Sequence, residues 1–125
     1  MNDRFKFRAW DKETKTMHEV ESLYPYKDEA TQGGELFFKD FKTSYYFPEE
    51  VELMQSTGLK DKNGKLIYEG DVVKQNNTIY SVNWLNGTFC FKDTLNGENY
   101  TVEFVVPEKQ EVIGNMYENK ELLNE

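Results

Sequence analysis

His18 and Cys90 are the only histidine and the only cysteine in this chain of 125 residues. The side chains best suited to shuttling a proton and to attacking as a thiolate therefore each lack a second of their kind. A metal centre needs three or four donors at readable spacing, and nucleophilic catalysis needs a base and an orienting acid beside the nucleophile. Neither pattern assembles around His18, which reads as a solvated or structural residue. Cys90 lies between Phe89 and Phe91, with no basic neighbour or helix start to lower its pKa, so it reads as a small packed thiol. Glu49, Glu50 and Glu52 are of the type that does general acid/base work in pairs. Nothing in the sequence fixes their separation, and a solvated charge run accounts for them. Asp61-Lys62-Asn63-Gly64 superficially echoes a calcium loop but lacks the alternating acids and the terminal bidentate Glu, so it reads as a hairpin turn. The expectation is a protein without a catalytic, cofactor or metal site, and so not an enzyme.

The rings offer a different chemistry. Phe37, Phe38, Phe41, Tyr45, Tyr46 and Phe47 crowd one short stretch, and small β domains have little interior in which to hide them. One reading is core or self-association. The other is a recognition surface on which Phe41, Tyr45, Tyr46 and Phe47 meet a basic peptide or an arginine-bearing partner through cation–π contact and charge complementarity. The balance of 15 Lys+Arg against 23 Asp+Glu, a net charge of −8, opposes the phosphate neutralisation on which nucleic-acid binding depends. Nucleic acid is thus a disfavoured partner. Tyr80, Trp84 and Tyr100 as stacking platforms keep a nucleic-acid-binding SH3-like module as the alternative.

These side chains must be positioned by strands. Phe5, Phe7 and Ala9 alternate with Lys6, Arg8 and Trp10, predicting an opening strand, and Met17 to Ser22 predicts a weaker second one. Residues from Tyr24 to Glu50 are punctuated by Pro25, Gly33-Gly34 and Pro48 and read as irregular or hairpin-bearing. Asn-Gly follows at 63–64, 86–87 and 96–97, the pair that suits type I′ turns because both residues accept positive φ. A two-residue loop at Asn86-Gly87 sets Trp84 against Phe89, Val82 against Phe91, Asn83 against Cys90 and Ser81 against Lys92. The same rule at Asn96-Gly97 sets Phe91 against Val102 and Phe89 against Phe104, and a turn at Asn76-Asn77 sets Val73 against Tyr80. One inward face then holds Val73, Tyr80, Val82, Trp84, Phe89, Phe91, Val102 and Phe104. Glu111–Glu118 reads as a closing strand, and Asn119 as the N-cap of a short helical turn with Leu122 and Leu123 free to dock.

The fold class is therefore mainly β: a small SH3-like barrel or roll over residues 53–125, with an N-terminal β extension over 1–52 that contains the aromatic-rich irregular segment, and a short C-terminal helical turn. A lone cysteine allows no intrachain disulfide, which favours a reducing cytoplasm. No leader-like or membrane-spanning apolar run is visible, so no membrane partner is expected. Ring-rich extensions and sheet edges favour a homo-oligomer.

Three segments together resemble the YopX family of phage and prophage proteins: Phe5-Lys6-Phe7-Arg8-Ala9-Trp10-Asp11, then Leu53 to Asp61 continuing to Gly70-Asp71-Val72-Val73, then Val112 to Asn119 with Glu121-Leu122-Leu123. The ring-rich Tyr24–Phe47 segment departs from that pattern, as does Lys120, where the family often has proline. The resemblance implies a C-terminal SH3-type barrel or roll, a β extension before it, and a phage or prophage origin. It carries over no catalytic residues and no known activity. The function expected is that of a phage accessory protein, acting in the host cytoplasm as a non-enzymatic protein–protein interaction module on a host or phage protein.

Overall fold

The computed structural model describes residues 5–25, 33–39, 43–101 and 106–123. They are mainly β, arranged as two antiparallel sheets, and the chain divides into two compact units, one of Lys6–Gln55 and the other built on Ser56–Glu125.

In the first unit, β1 (Phe7–Asp11), β2 (Thr16–Pro25), β3 (Gly34–Phe38), β4 (Ser44–Phe47) and the start of β5 (Val51–Lys60) lie in the order β4-β3-β2-β1-β5. The opening strand begins at Phe7, and Phe5 is exposed ahead of it. Ala9 is fully buried because it is central in both directions, opposite His18 on β2 and Leu53 on β5. Asp11 ends the strand by turning its own backbone: its Oδ1 accepts the N–H groups of Glu13 at 2.9 Å and Thr14 at 3.2 Å. The loosely patterned ring-rich stretch is a hairpin, with Leu36 opposite Tyr45 and Gly34 opposite Phe47. Ala9, Leu36, Phe38 and Val51 form the core of this unit, covered by Val20, Leu23, Tyr45, Phe47 and Leu53.

In the second unit, the end of β5 pairs with β6 (Leu66–Tyr68). A sheet then runs β10-β9-β8-β7-β11, made of β7 (Asp71–Gln75), β8 (Thr78–Leu85), β9 (Thr88–Asp93), β10 (Asn99–Thr101) and β11 (Glu111–Asn115). Among the described residues no pairing closes it into a barrel. The arithmetic for Asn86-Gly87 holds: Ser81, Val82, Asn83 and Trp84 face Lys92, Phe91, Cys90 and Phe89. Asn86 and Gly87 take φ of 53° and 82°, the double left-handed conformation of a type I′ turn. Val73 faces Tyr80 as expected. Ile67, Val73, Val82 and Phe91 are fully buried with Leu59, Tyr80, Tyr100 and Val112 against them, and a ring such as Phe91 contributes about 1.5–3 kcal/mol by leaving water.

Three expectations fail here for physical reasons. Asn96-Gly97 is not a two-residue loop. Asp93 N–H donates to Glu98 O at 2.9 Å and the Asp93 carboxylate accepts the Leu95 N–H at 2.8 Å, so the chain turns through Thr94, Leu95, Asn96 and Gly97 together. Phe91 therefore faces Tyr100, not Val102, and the proposed partners Val102 and Phe104 lie outside the described residues. Trp84 is 50 % exposed, because the β8–β9 hairpin projects past the core, which ends at Val82 and Phe91. Asn119 precedes a 3-10 turn at Lys120–Leu122 but does not cap it with its side chain. Its Oδ1 instead accepts the N–H of Asn115 at 3.1 Å, and a Cβ on Gly114 would sit 2.5 Å from that oxygen, so a larger residue at this irregular end of β11 would have to displace the Asn119 side chain.

Candidate functional site

Most of the chemistry-bearing residues are structural. His18 stacks on Phe38, with centroids 4.4 Å apart and planes at 17°, and its Nε2 lies 2.7 Å from Thr16 Oγ1. Cys90 is buried. No group of His, Cys, Asp or Glu among the described residues has the makings of a metal site. Asp61 stands at the head of the hairpin between β5 and β6, where its Oδ1 accepts the N–H groups of Asn63 at 2.9 Å and Lys65 at 2.8 Å. Its Oδ2 accepts the Val112 N–H at 2.9 Å, from the start of β11. Burial pushes this carboxyl up, but the three N–H donors, from Val112, Lys65 and Asn63, together with the nearby Lys65 charge outweigh it and hold the pKa below the usual carboxylate value. The turn is a clamp on β11, not a cation loop.

The candidate partner-binding rings divide. Phe41 lies outside the described residues. Tyr45 stacks on the other side of the Phe38 pairing, 4.5 Å between centroids at 20°, and Phe47 packs on the same core. Tyr46, 46 % exposed, turns to solvent. Tyr45 does line a pocket of about 330 Å³ with Asp11, Glu13, Glu49, Glu50 and Lys12. Two turns make it: the one Asp11 nucleates, and Pro48–Glu50 before β5, joined by the Lys12 N–H donating to Glu50 O at 3.2 Å. Glu50 Oε1 accepts the Tyr46 N–H at 2.8 Å, and Lys12 is turned toward Pro48 O and Glu52, 3.2 Å from the latter. Four carboxylates and one already paired ammonium make this a place for a cation, with a tyrosine ring at its rim.

Glu49 and Glu50 stood out in the sequence as a charge run. Nothing local in the sequence connects Asp11 and Glu13 with them, because only the register of β1 on β5, which puts Asp11 opposite Val51, brings the two turns together. Of the three proposed stacking rings, Tyr80 and Tyr100 meet edge to face at 6.1 Å and 89° over the core of their unit. A hydrogen bond from the Tyr100 hydroxyl to Glu98 at 2.9 Å keeps that phenol above its usual pKa. Trp84 alone among them is open, held edge to face by Phe89 at 4.7 Å and 74°.

A family model described as YopX protein matches residues 6–124. Among solved structures, protein EF1440 from Enterococcus faecalis is similar at 29 % identity and a TM-score of 0.65, the match covering 94 % of this chain and 96 % of that one. Protein yopX from Bacillus subtilis is similar at 24 % identity and a TM-score of 0.63, covering 98 % and 99 %, a likeness of fold. No curated protein matches the chain.

Proposed function

Because the chain belongs to the YopX protein family, we propose that it is a phage or prophage accessory protein without enzymatic activity, which works in the host cytoplasm by contact with a host or phage protein. The observation that carries this reading is the pocket of Asp11, Glu13, Glu49 and Glu50 beside Tyr45. It suits an arginine or lysine side chain projecting from a partner: the carboxylates supply charge complementarity and on-rate, and the ring supplies a face for the cation. A net charge of −8 favours the same class of partner. We read the unit built on Ser56–Glu125 as an SH3-type roll that carries no part of this pocket, a reading supported by the β7 to β10 meander and the β5–β6 hairpin. Capture of the tagged full chain from host lysate, with and without nuclease, tests the proposal when run beside a Glu13→Gln/Glu49→Gln variant. One protein retained after nuclease, and lost with the variant or at raised salt, supports it. Equal capture by the variant removes the pocket from the account, and capture abolished by nuclease turns the case to nucleic acid. Light scattering on the purified protein decides whether the partner is a second copy.

A further inference from the structure

The five-strand sheet borders a groove of about 450 Å³ that the reading above does not use. Its polar side is a row dictated by register. Ser81 on β8 lies opposite Lys92 on β9, and Lys92 lies opposite Asn99 on β10, so a serine, a lysine and an asparagine occupy one cross-strand row over three strands at the roughly 4.8 Å strand spacing. The described structure gives Lys92 no ion pair, and no carboxylate lines the groove, in a chain with 23 acidic residues. One position along, the Asn83 amide is fixed by donating to Ser81 O at 3.2 Å and to Ser81 Oγ at 3.0 Å, which leaves its Oδ1 as an acceptor. The apolar side is Trp84, Leu85, Met116 and Leu123, with half of the indole surface open.

We infer that this groove binds a small planar ring carrying one anionic group, of the nucleoside monophosphate class. The ring lies against Trp84 and its apolar neighbours, the anionic group meets Lys92 between Ser81 and Asn99, and an N–H at the ring edge donates to Asn83 Oδ1. Each part of the groove answers one part of such a ligand. An open indole gives a stacking face, a lone ammonium flanked by neutral donors suits a single phosphate, and a fixed side-chain amide suits a base edge. The volume falls within the range of small-molecule sites. A longer polyanion is disfavoured, since one cation is on offer and the rest of the chain is acidic.

The test is titration of the full chain with adenosine 5′-monophosphate at low salt, followed by tryptophan fluorescence and by equilibrium dialysis. Saturable binding is expected, weakened about tenfold or more by Lys92→Gln, which removes a charge-assisted contact, and strongly weakened by Trp84→Leu. Adenosine and inorganic phosphate, each lacking half of the ligand, should each bind at least about tenfold more weakly. Lys92 is exposed, so its variant should melt with the parent, and Glu13→Gln/Glu49→Gln should bind the nucleotide unchanged, which separates failure here from failure of the acidic pocket. No saturable binding at millimolar nucleotide, or equal binding by a folded Lys92→Gln protein, overturns the inference. So does affinity that appears only with single-stranded oligonucleotides and rises with their length, which would make the groove a nucleic-acid surface.

Discussion

The acidic pocket of the Lys6–Gln55 unit and the groove on the other unit differ in what holds their side chains. Turns build the pocket: Asp11, Glu13, Glu49 and Glu50 sit at or beside strand ends, where Asp11 Oδ1 accepts the Glu13 N–H, Glu50 Oε1 the Tyr46 N–H and Glu50 O the Lys12 N–H. Strands build the groove, in which Ser81, Lys92 and Asn99 form one cross-strand row. The first collects negative charge from two loops distant in sequence. The second excludes it by alternation, since the odd positions of β8 hold Ser81 and Asn83 while their neighbours Val82 and Tyr80 face the core. One chain thus presents a cation site and an anion site by different structural means.

The hardest blow to either region is removal of the ring beneath it. Phe91 is fully buried next in sequence to Lys92, and Phe38 is the ring on which both His18 and Tyr45 stack. Phe91→Ala and Phe38→Ala should each cost about 3–5 kcal/mol in denaturant unfolding. A loss below about 1 kcal/mol at either position would mean that the ring does not support the site above it.

Carboxylates sharpen the contrast next. Those of the pocket line a cleft, whereas Asp61 turns inward to three backbone N–H groups. Asp61→Asn should therefore cost about 1.5–3 kcal/mol at neutral pH, the scale of hydrogen bonds to a charged group. The sign of its pH dependence follows from a pKa lowered in the folded state. The stabilisation is complete above the ordinary carboxylate value near 3.8 and is lost as pH falls through the lower folded value. The gap between parent and variant should narrow on acidification, as read from urea midpoints between neutral and strongly acid pH. A gap independent of pH would assign the effect to shape alone. Glu49→Gln, by comparison, should leave stability within about 0.5 kcal/mol, as surface substitutions do.

How much of this was legible in the sequence depends on which residue sets the turn. At Asn86-Gly87 the backbone itself chooses, since both residues accept positive φ, and every pair from Ser81–Lys92 to Trp84–Phe89 could be counted off. At Asn96-Gly97 the side chain of Asp93 intervenes, captures the Leu95 N–H and lengthens the loop, which moves Asn99 beside Lys92. An Asx turn announces itself only by an aspartate before a polar stretch, and Asp93-Thr94 offered that signal beside a louder Asn-Gly. The acidic pocket was less legible still: the distance between Asp11 and Glu50 is fixed by pairing of β1 with β5, which no local pattern encodes. The ring-rich hairpin was obscured because Phe37 and Phe38 on β3 and Tyr45 and Tyr46 on β4 put rings on both faces and erase the period of two. Gly87→Val tests the legible part directly. A β-branched residue held at φ of 82° should cost about 1–3 kcal/mol, although open space surrounds the position, and an unchanged melting temperature would mean that another turn type is accessible there.

A small expected effect on stability discriminates best on function. The alternation that puts Trp84 in line with Val82 and Tyr80 makes it a core residue on paper, and truncating a core tryptophan costs about 3–5 kcal/mol. The hairpin runs past the last fully buried pair, Val82 and Phe91, so half of the side chain faces solvent, and the indole meets Phe89 edge to face. Trp84→Ala should then lower stability by no more than about 1 kcal/mol, close to the value of one edge-to-face aromatic pair. It should also remove most of the fluorescence response to ligand, because the remaining tryptophan, Trp10, is 8 % exposed and lies in the other unit. Near-parental melting with loss of nucleotide binding would identify Trp84 as a surface retained for contact. Near-parental melting with binding intact would leave it a hydrophobic tip on a hairpin, and the cross-strand row of Ser81, Lys92 and Asn99 would have to account for affinity by itself.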